Sequence, residues 1–142
     1  MLDELLRRVS NHTPHTLETD GRFPEAAVLV PITRSDEPEL ILTLRASGLS
    51  THGGEVAFPG GRRDPEDPDL VFTALREAEE EIGLPPGLVE VIGPLSPLIS
   101  LHGIRVTPYV GVIPDYVEYL ANDAEIAAVF SVPLDFFRTD PR

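Results

Sequence analysis

Apolar residues recur along this chain with two different spacings, and each spacing predicts a different kind of element. Leu2, Leu5, Leu6 and Val9 repeat at three- and four-residue intervals, which predicts an amphipathic helix over residues 1 to 10. Shorter apolar runs bounded by turn residues predict strands, and a mixed sheet with flanking helices follows. The predicted strands cover residues 26 to 32, 39 to 45, 55 to 58, 88 to 92, 96 to 101, 104 to 113 and 127 to 132.

A second helix is predicted over residues 68 to 82, where the apolar positions follow the helical repeat. Its apolar arc consists of Leu70, Val71, Ala74, Leu75, Ala78 and Ile82. Asp67 is expected to cap the first amides, Pro68 to occupy the first helical position, and Asp69 to complement the positive end of the dipole. Gly83, which two prolines follow closely, is expected to close the other end.

Three glutamates of this helix share a face beside the apolar arc. At about 100° per residue, Glu81 lies roughly 40° to one side of Glu77, and Glu80 lies roughly 60° to the other side. Like charges at these spacings oppose helix formation by about 0.2–0.5 kcal/mol per pair, and partial burial raises the cost. A divalent cation such as Mg²⁺ or Mn²⁺ removes the conflict. The alternative is a solvated acidic helix in which Arg76 pairs with Glu80.

Two adjacent glycines precede this helix, directly after the predicted strand that ends at Phe58. Because Gly60 and Gly61 lack side chains, the backbone there can approach the helix closely and expose carbonyls and amides to a metal ion or a phosphate. The glycine pair therefore favours a cation site over a solvated acidic face.

The segment over residues 61 to 84 resembles the box of the Nudix hydrolases, G-x5-E-x7-R-E-U-x-E-E-x-G-U, in which U is aliphatic. The matching positions are Arg76-Glu77, Ala78, Glu80-Glu81 and Gly83-Leu84. The front half departs from the pattern, because Asp67 stands where the box has glutamate and eight rather than seven residues separate it from Arg76. The loop is therefore one residue longer, and we expect Asp67 to act as a helix cap.

An upstream segment resembles the signature of one subgroup of this family, the coenzyme A diphosphatases. The similar residues are Leu42-Thr43-Leu44-Arg45-Ala46, then Gly54, then Phe58-Pro59-Gly60-Gly61. Ser50 departs from the signature, which has an arginine at that place. The resemblance makes Arg45 a candidate contact for a phosphate or for the coenzyme. The alternative is an ordinary surface arginine at the end of a strand.

What the resemblance implies is a metal-dependent diphosphatase with an α/β (α+β) fold, a Nudix-type α/β/α sandwich with a mixed central sheet. Water would split a nucleoside diphosphate derivative, and coenzyme A would give 3',5'-ADP and 4'-phosphopantetheine. One alternative is a Nudix diphosphatase for another substrate, such as ADP-ribose, a dinucleotide or an oxidised nucleotide. The other is a catalytically silent module that binds a nucleotide, although such a module is expected to lose Glu77, Glu80 or Glu81.

The resemblance also implies the composition of a metal site for Mg²⁺ or Mn²⁺. Glu77 and Glu81, one helical turn apart, are the expected principal ligands. Glu80 is a further ligand, and a carbonyl of Gly60 or Gly61 completes the shell. The same two glycines, with Arg45, are expected to contact the substrate.

The expected catalytic residues are acids beside this metal site. The resemblance leaves the general base open among Glu77, Glu80 and Glu125, because different Nudix members use different acids. Glu125 is a candidate because a glutamate just ahead of an apolar strand often reaches the metal site in Nudix proteins. For Glu125 the alternative is a loop acid exposed to water. Arg76 is expected to orient a carboxylate rather than to touch substrate. His52 is a candidate phosphate or base contact, with an uninvolved loop histidine as the alternative.

Composition indicates a compact enzyme. With 142 residues, of which 42% are hydrophobic, we expect one domain over residues 1 to 142, including the helix at 1 to 10 and the box at about 61 to 84. The lack of a spanning apolar run and of a secretory leader predicts a cytoplasmic protein. The chain contains no cysteine, which leaves oxygen and histidine as metal ligands.

The formal net charge of −13 is spread along the chain. Such a charge disfavours binding to nucleic acid or to an anionic membrane. It is compatible with a small anionic substrate, because a bound divalent ion and local arginines invert the potential where the substrate lies. The predicted partner is therefore a small molecule, and the oligomeric state is left open.

Coenzyme A diphosphatases generally carry more chain after a strand like the one that ends at Pro133-Leu134, and that extra chain forms a second helix against the sheet. Two explanations for the difference from those proteins are left open. Either a C-terminal segment is missing, or the far face of the sheet is covered by the N-terminal helix or by a partner subunit.

Overall fold

The computed structural model describes residues 2–11, 23–46 and 54–137. Within these ranges the helices are α1 (Leu2–Asn11) and α2 (Leu70–Ile82), with short 3-10 turns at Pro86–Leu88 and Leu134–Phe137. The strands are β1 (Glu25–Thr33), β2 (Glu39–Arg45), β3 (Val56–Ala57), β4 (Gly60–Arg62), β5 (Glu90–Pro94), β6 (Leu98–Ile99), β7 (Arg105–Ile113) and β8 (Ile126–Pro133). In the described part of the chain, no helix is long and apolar enough to cross a membrane.

One mixed sheet joins these strands, which confirms the predicted fold class. At its centre β1 and β7 run parallel, from Glu25 opposite Arg105 to Thr33 opposite Ile113. β8 pairs antiparallel along the length of β2, and β3 pairs with the end of β2. β4 pairs antiparallel with the first part of β1, while β5 and β6 pair with β7. The sheet therefore brings the glycine strand β4 directly beside central β1.

Alternate residues of the central strands fill two separate cores, one on each face of the sheet. The face towards α2 buries Ala27, Leu29, Ile41, Ala74, Ala78, Ile82, Leu84 and Ile113. The opposite face buries Leu2, Val9, Ile32, Leu40 and Val110. Each fully buried Leu or Ile contributes roughly 1.5–3 kcal/mol relative to an exposed one. The N-terminal helix thus covers part of the face opposite α2.

The structure corrects the predicted start of α2. Asp69, rather than Asp67, is the N-cap: its backbone is extended, and its carboxylate accepts a hydrogen bond from the Phe72 amide at 2.8 Å. Pro68 consequently lies before the helix instead of at its first position. The helix therefore begins two residues later than predicted, and the side chain of Asp67 has other partners.

The sequence pattern also misjudges the short strands. It places a strand over 55 to 58 and predicts none at Gly60–Arg62, because glycine has little strand propensity. In the structure Gly60 and Gly61 pair through their backbone with Val28 and Ala27. The segment predicted as a strand over 96 to 101 is a strand only at Leu98–Ile99.

Candidate active site

Strand β4 brings two glycines against the side chains of α2 and the backbone of β1. A Cβ atom at Gly61 would lie 2.5 Å from Cδ of Glu77. A Cβ atom at Gly60 would overlap the Ala27 carbonyl and lie 2.5 Å from Cγ1 of Val28. At Gly60 the clash is with backbone atoms, whereas at Gly61 it is with the end of the Glu77 side chain, which would have to move. The close approach that the glycine pair predicts is therefore present, and it brings the β4 backbone to the Glu77 carboxylate.

Glu77 and Glu81 form a carboxylate pair on the face of α2 that meets β4. Their carboxylates lie close together, and Glu81 also accepts a hydrogen bond from the Gly60 backbone. Glu81 is only 5% exposed. Burial raises the pKa of Glu81 to about 8, and the charge of Glu77 adds to this effect. Burial likewise raises the pKa of Glu77, against the opposing charge of Arg76. Two like charges so placed are stabilised by a shared proton or by a bound cation.

Glu80 does not converge on this pair. Its side chain is 56% exposed, and it accepts a hydrogen bond from Nη1 of Arg76 at 3.3 Å. Within residues 2–11, 23–46 and 54–137, no group of three or more acidic or histidine side chains is already arranged to hold a metal ion. The structure therefore contains a carboxylate pair with Glu80 beside it, rather than a completed three-carboxylate shell.

Arg76 connects the loop half of the box to the helix half. Its Nε donates to Oδ1 of Asp67 at 3.0 Å, and its Nη2 donates to Oδ2 at 2.9 Å. Its Nη1 donates to Oε2 of Glu77 at 3.1 Å. The hydrogen bonds from Arg76 are the largest cause that holds the pKa of Asp67 well below its usual range. Asp67 is therefore a buried anchor for the arginine, which corrects the expectation that it caps the helix.

The loop between β7 and β8 brings Glu125 to the same site. The backbone of this loop caps the C-terminal end of α2: the amide of Leu120 donates to the Ile82 carbonyl, and the amide of Asn122 donates to the Glu81 carbonyl, each at 2.9 Å. The side chain of Glu125 is exposed, and its charge contributes to the raised pKa of Glu81. Glu125 therefore shares the electrostatic environment of the carboxylate pair.

Arg45 lies at the end of β2, next to the loop that carries Glu125. Its amide donates to the Glu55 carbonyl at 2.8 Å, and its carbonyl accepts from the Gly54 amide at 3.0 Å. The following amide, that of Ala46, donates to the Glu125 carbonyl at 2.9 Å. The Arg45 Nε is buried and has no hydrogen-bond partner among the described residues. The predicted contact at His52 and the departure at Ser50 lie outside those residues.

Thr73 belongs to this site, although the sequence pattern does not single it out. It is fully buried in α2, and its Oγ1 donates to Oδ2 of Asp67 at 2.8 Å. In the sequence it begins Thr73-Ala74-Leu75-Arg76-Glu77-Ala78, a segment that also resembles the coenzyme A diphosphatases, and its hydroxyl stands beside the apolar arc.

Comparison with known proteins identifies the fold and the box together. A NUDIX domain profile matches residues 23–135, which include the glycine strand, α2 and Glu125. The chain belongs to the Nudix hydrolase family. Members of this family are hydrolases that act on pyrophosphate bonds, and they generally use divalent metal ions.

Two relatives are similar to this Nudix chain along most of its length. The uncharacterized Nudix hydrolase NudL of Yersinia enterocolitica is 45% identical over 133 residues, which are 94% of this chain and 68% of that protein. The protein of the same name from Cronobacter sakazakii is 48% identical over 133 residues, which are 94% of this chain and 69% of the relative.

Solved structures share the Nudix fold at low sequence identity. An Ap4A hydrolase from C. elegans, in a binary complex, has a TM-score of 0.67 and 18% identity, and the match covers 78% of this chain and 80% of that one. The NUDIX domain of Shewanella oneidensis NrtR, complexed with ADP ribose, has a TM-score of 0.64 and 20% identity, with 92% and 83% covered. These likenesses establish the fold.

The donor set of the Nudix helix fits a hard divalent cation. All its candidate ligands are oxygens, and burial raises the pKa of both Glu77 and Glu81, so two negative charges side by side are disfavoured there. Gly61 leaves room for a backbone oxygen to approach the same carboxylates. An all-oxygen donor set of this kind is the one that Mg²⁺ and Mn²⁺ prefer.

Proposed function

We propose that this protein hydrolyses the diphosphate bond of coenzyme A or a coenzyme A derivative, giving 3',5'-ADP and 4'-phosphopantetheine. The observation that carries the proposal is the adjacency of the coenzyme A signature to the carboxylate pair. Arg45 and Gly54 of the signature are paired through their backbones, and the residue after Arg45 is hydrogen bonded to Glu125. Gly61 of the same signature contacts Glu77.

The proposed metal ligands are Glu77 and Glu81, with Glu80 turning in from its pairing with Arg76 and a carbonyl of Gly60 or Gly61 completing the shell. A bound Mg²⁺ or Mn²⁺ ion supplies charge neutralisation for the diphosphate oxygens. The buried position of Glu81 supports this assignment, because an unpaired carboxylate in that place is costly without a cation.

The proposed reaction needs an acid that accepts a proton from the attacking water and a group that orients this acid. Glu77, Glu80 and Glu125 are the acids near the site that meet the first need. Arg76 meets the second, because its guanidinium contacts both Glu77 and Glu80. In phosphoryl transfer such positioning, together with charge stabilisation, supplies most of the catalysis.

Arg45 is the proposed contact for the substrate phosphates. Its buried Nε has no partner among the described residues, and a charged donor in that state favours an anionic ligand. Gly60 and Gly61 are the other proposed substrate contacts. The predicted contact at His52 remains a prediction.

One experiment tests the proposed substrate. The protein is incubated with Mg²⁺ or Mn²⁺ and, separately, with coenzyme A, ADP-ribose and NADH, and the products are identified by mass. We expect 3',5'-ADP from coenzyme A, and no product from the Glu81→Gln variant in the same time. Hydrolysis of ADP-ribose or NADH alone would overturn the coenzyme A assignment in favour of another diphosphatase. Binding without product would favour the catalytically silent module.

A further inference from the structure

Thr73 is a polar residue in a place that suits an apolar one. It is fully buried on the face of α2 that packs against the sheet, beside the equally buried Ala74. Valine has nearly the same shape and would fill this space without a polar atom. Burying a hydroxyl is unfavourable unless it is hydrogen bonded. The presence of a hydroxyl at this buried position therefore needs an explanation, and its hydrogen-bond partner is the place to look.

The Thr73 hydroxyl has two acceptors within reach and one proton to give. Oδ2 of Asp67 lies at 2.8 Å, and the Asp69 carbonyl lies at 3.2 Å. The shorter contact is to a charged oxygen, and charge-assisted hydrogen bonds are the stronger kind. The hydroxyl proton is therefore directed to Asp67.

The Asp67 carboxylate is held by donors on several sides. Oδ2 accepts from the Thr73 hydroxyl and from the Asp64 amide at 2.9 Å, in addition to Arg76. Oδ1 accepts from Nε of Arg76. Because the guanidinium is planar and rigid, the orientation of this carboxylate sets the direction of the third nitrogen, Nη1, which contacts Glu77 and Glu80.

We propose that Thr73 is a positioning residue for the active site: its hydroxyl fixes the carboxylate of Asp67, which holds Arg76 against Glu77 and Glu80. The residue lies outside the positions at which the chain matches the Nudix box. It compensates for the shorter side chain of Asp67 and for the extra loop residue by supplying one more donor to the carboxylate. The catalytic part of this inference rests on the proposed function, and the structural part does not.

A matched pair of variants separates the hydroxyl from the shape of the side chain. Thr73→Val keeps the shape and removes the hydroxyl, whereas Thr73→Ser keeps the hydroxyl and removes a buried methyl group. The first readout is the NMR signal of the Arg76 Nε–H group, assigned by its loss in Arg76→Lys. We expect this signal to persist in Thr73→Ser and to shift and broaden in Thr73→Val.

The second and third readouts are Mn²⁺ affinity, measured by electron paramagnetic resonance, and the separate values of kcat and KM. We expect Thr73→Val to lower both the affinity and kcat by about 10-fold with little change in KM, since partners that orient metal ligands typically contribute this much. Thr73→Ser should stay within about twofold of wild type in both.

A purely structural role predicts the opposite order, because the serine variant leaves a cavity and the valine variant does not. The proposal is overturned if Thr73→Val keeps the Arg76 signal and the Mn²⁺ affinity, or if both variants lose them equally. If wild-type protein hydrolyses no substrate offered, the proposed function fails, and the NMR and Mn²⁺ measurements still decide the role of Thr73.

Discussion

Asp67 and Glu81 are two buried carboxylates of one site, 3% and 5% exposed, and the protein treats them in opposite ways. Asp67 accepts hydrogen bonds from Arg76, Thr73 and the Asp64 amide, which hold its pKa well below its usual range. Glu81 faces another carboxylate, that of Glu77, and burial raises its pKa to about 8. Similar burial thus accompanies a charge that several donors stabilise at Asp67 and a charge that burial and a neighbouring carboxylate disfavour at Glu81.

The difference separates the part of the site that holds itself together from the part that needs a ligand. A buried charge with several donors is stable without help, and it fixes the groups around it. A buried carboxylate facing another carboxylate stays protonated or binds a cation, and such perturbed groups cluster at functional sites. The loop half of the Nudix box is therefore the anchor, and the helix half is the proposed metal site.

The largest expected effect comes from neutralising the unsatisfied carboxylates. Glu77→Gln or Glu81→Gln should lower kcat by at least about 100-fold, the usual cost of losing a key acid or base group. Glu79→Gln is the matched control, because Glu79 is exposed on the same helix. Near-normal turnover of both variants at saturating metal would show that Glu77 and Glu81 are not required for catalysis.

The next effect comes from filling the space between β4 and the pair. Gly61→Ala places a methyl group 2.5 Å from Cδ of Glu77, so the carboxylate must move, and we expect turnover to fall by about 10-fold. Gly87→Ala is the control, since a Cβ there meets nothing within 4 Å. Equal turnover of the two variants would show that the position of Glu77 is not critical.

The pH dependence of stability separates the two carboxylates. The folded protein binds a proton at Glu81 more tightly than the unfolded chain does, because the pKa rises from 4.5 to about 8. This stabilisation is complete below about pH 4.5 and is lost as the pH rises towards 8. Asp67 contributes in the opposite sense: its stabilisation is present above its ordinary pKa of 3.8 and is lost only in stronger acid.

Between pH 5 and 8 the slope therefore belongs to the carboxylate pair. In EDTA we expect the Tm of the wild-type protein to fall by roughly 5 °C across this range, and Glu81→Gln to reduce that fall. Thermal unfolding at four pH values measures both. A Tm that rises from pH 5 to 8 in wild type would contradict the raised pKa.

A smaller effect comes from breaking the satisfied carboxylate. Asp67→Asn leaves Arg76 with a neutral partner and should lower the Tm by about 4 °C. Arg34→Gln removes the exposed ion pair with Glu90, whose side chains are 53% and 66% exposed, and should change the Tm by less than about 2 °C. Similar shifts in the two variants would mean that burial adds nothing to the Asp67 pair.

Much of the fold follows from local pattern in the sequence. β2 lies where its apolar run predicts, β1 and β7 lie within one residue of prediction, and the helical repeat predicts α2 to its last residue. Strand β4 cannot be predicted from local pattern, because Gly60 and Gly61 join the sheet only through backbone pairing with β1. That pairing depends on residues far away in the chain.

The site divides in the same way. Glu77 and Glu81 can be placed on one face from helical spacing, and their like charges indicate a cation. The role of Asp67 cannot be read from its position, because its partners Arg76 and Thr73 come to it through the fold of the loop. Asp69, which lies next to the first residue of α2, is the N-cap instead.

The most direct test of the account is the binding of Mn²⁺ to metal-free protein at pH 7, where Glu81 is largely protonated. Electron paramagnetic resonance measures the affinity, and calorimetry in two buffers of different ionisation enthalpy measures the protons released. The account predicts that wild-type protein binds Mn²⁺ with release of a proton from the pair of Glu77 and Glu81, and that Glu81→Gln binds at least about 10-fold more weakly. Equal affinity in the two proteins, with no proton released, would contradict it.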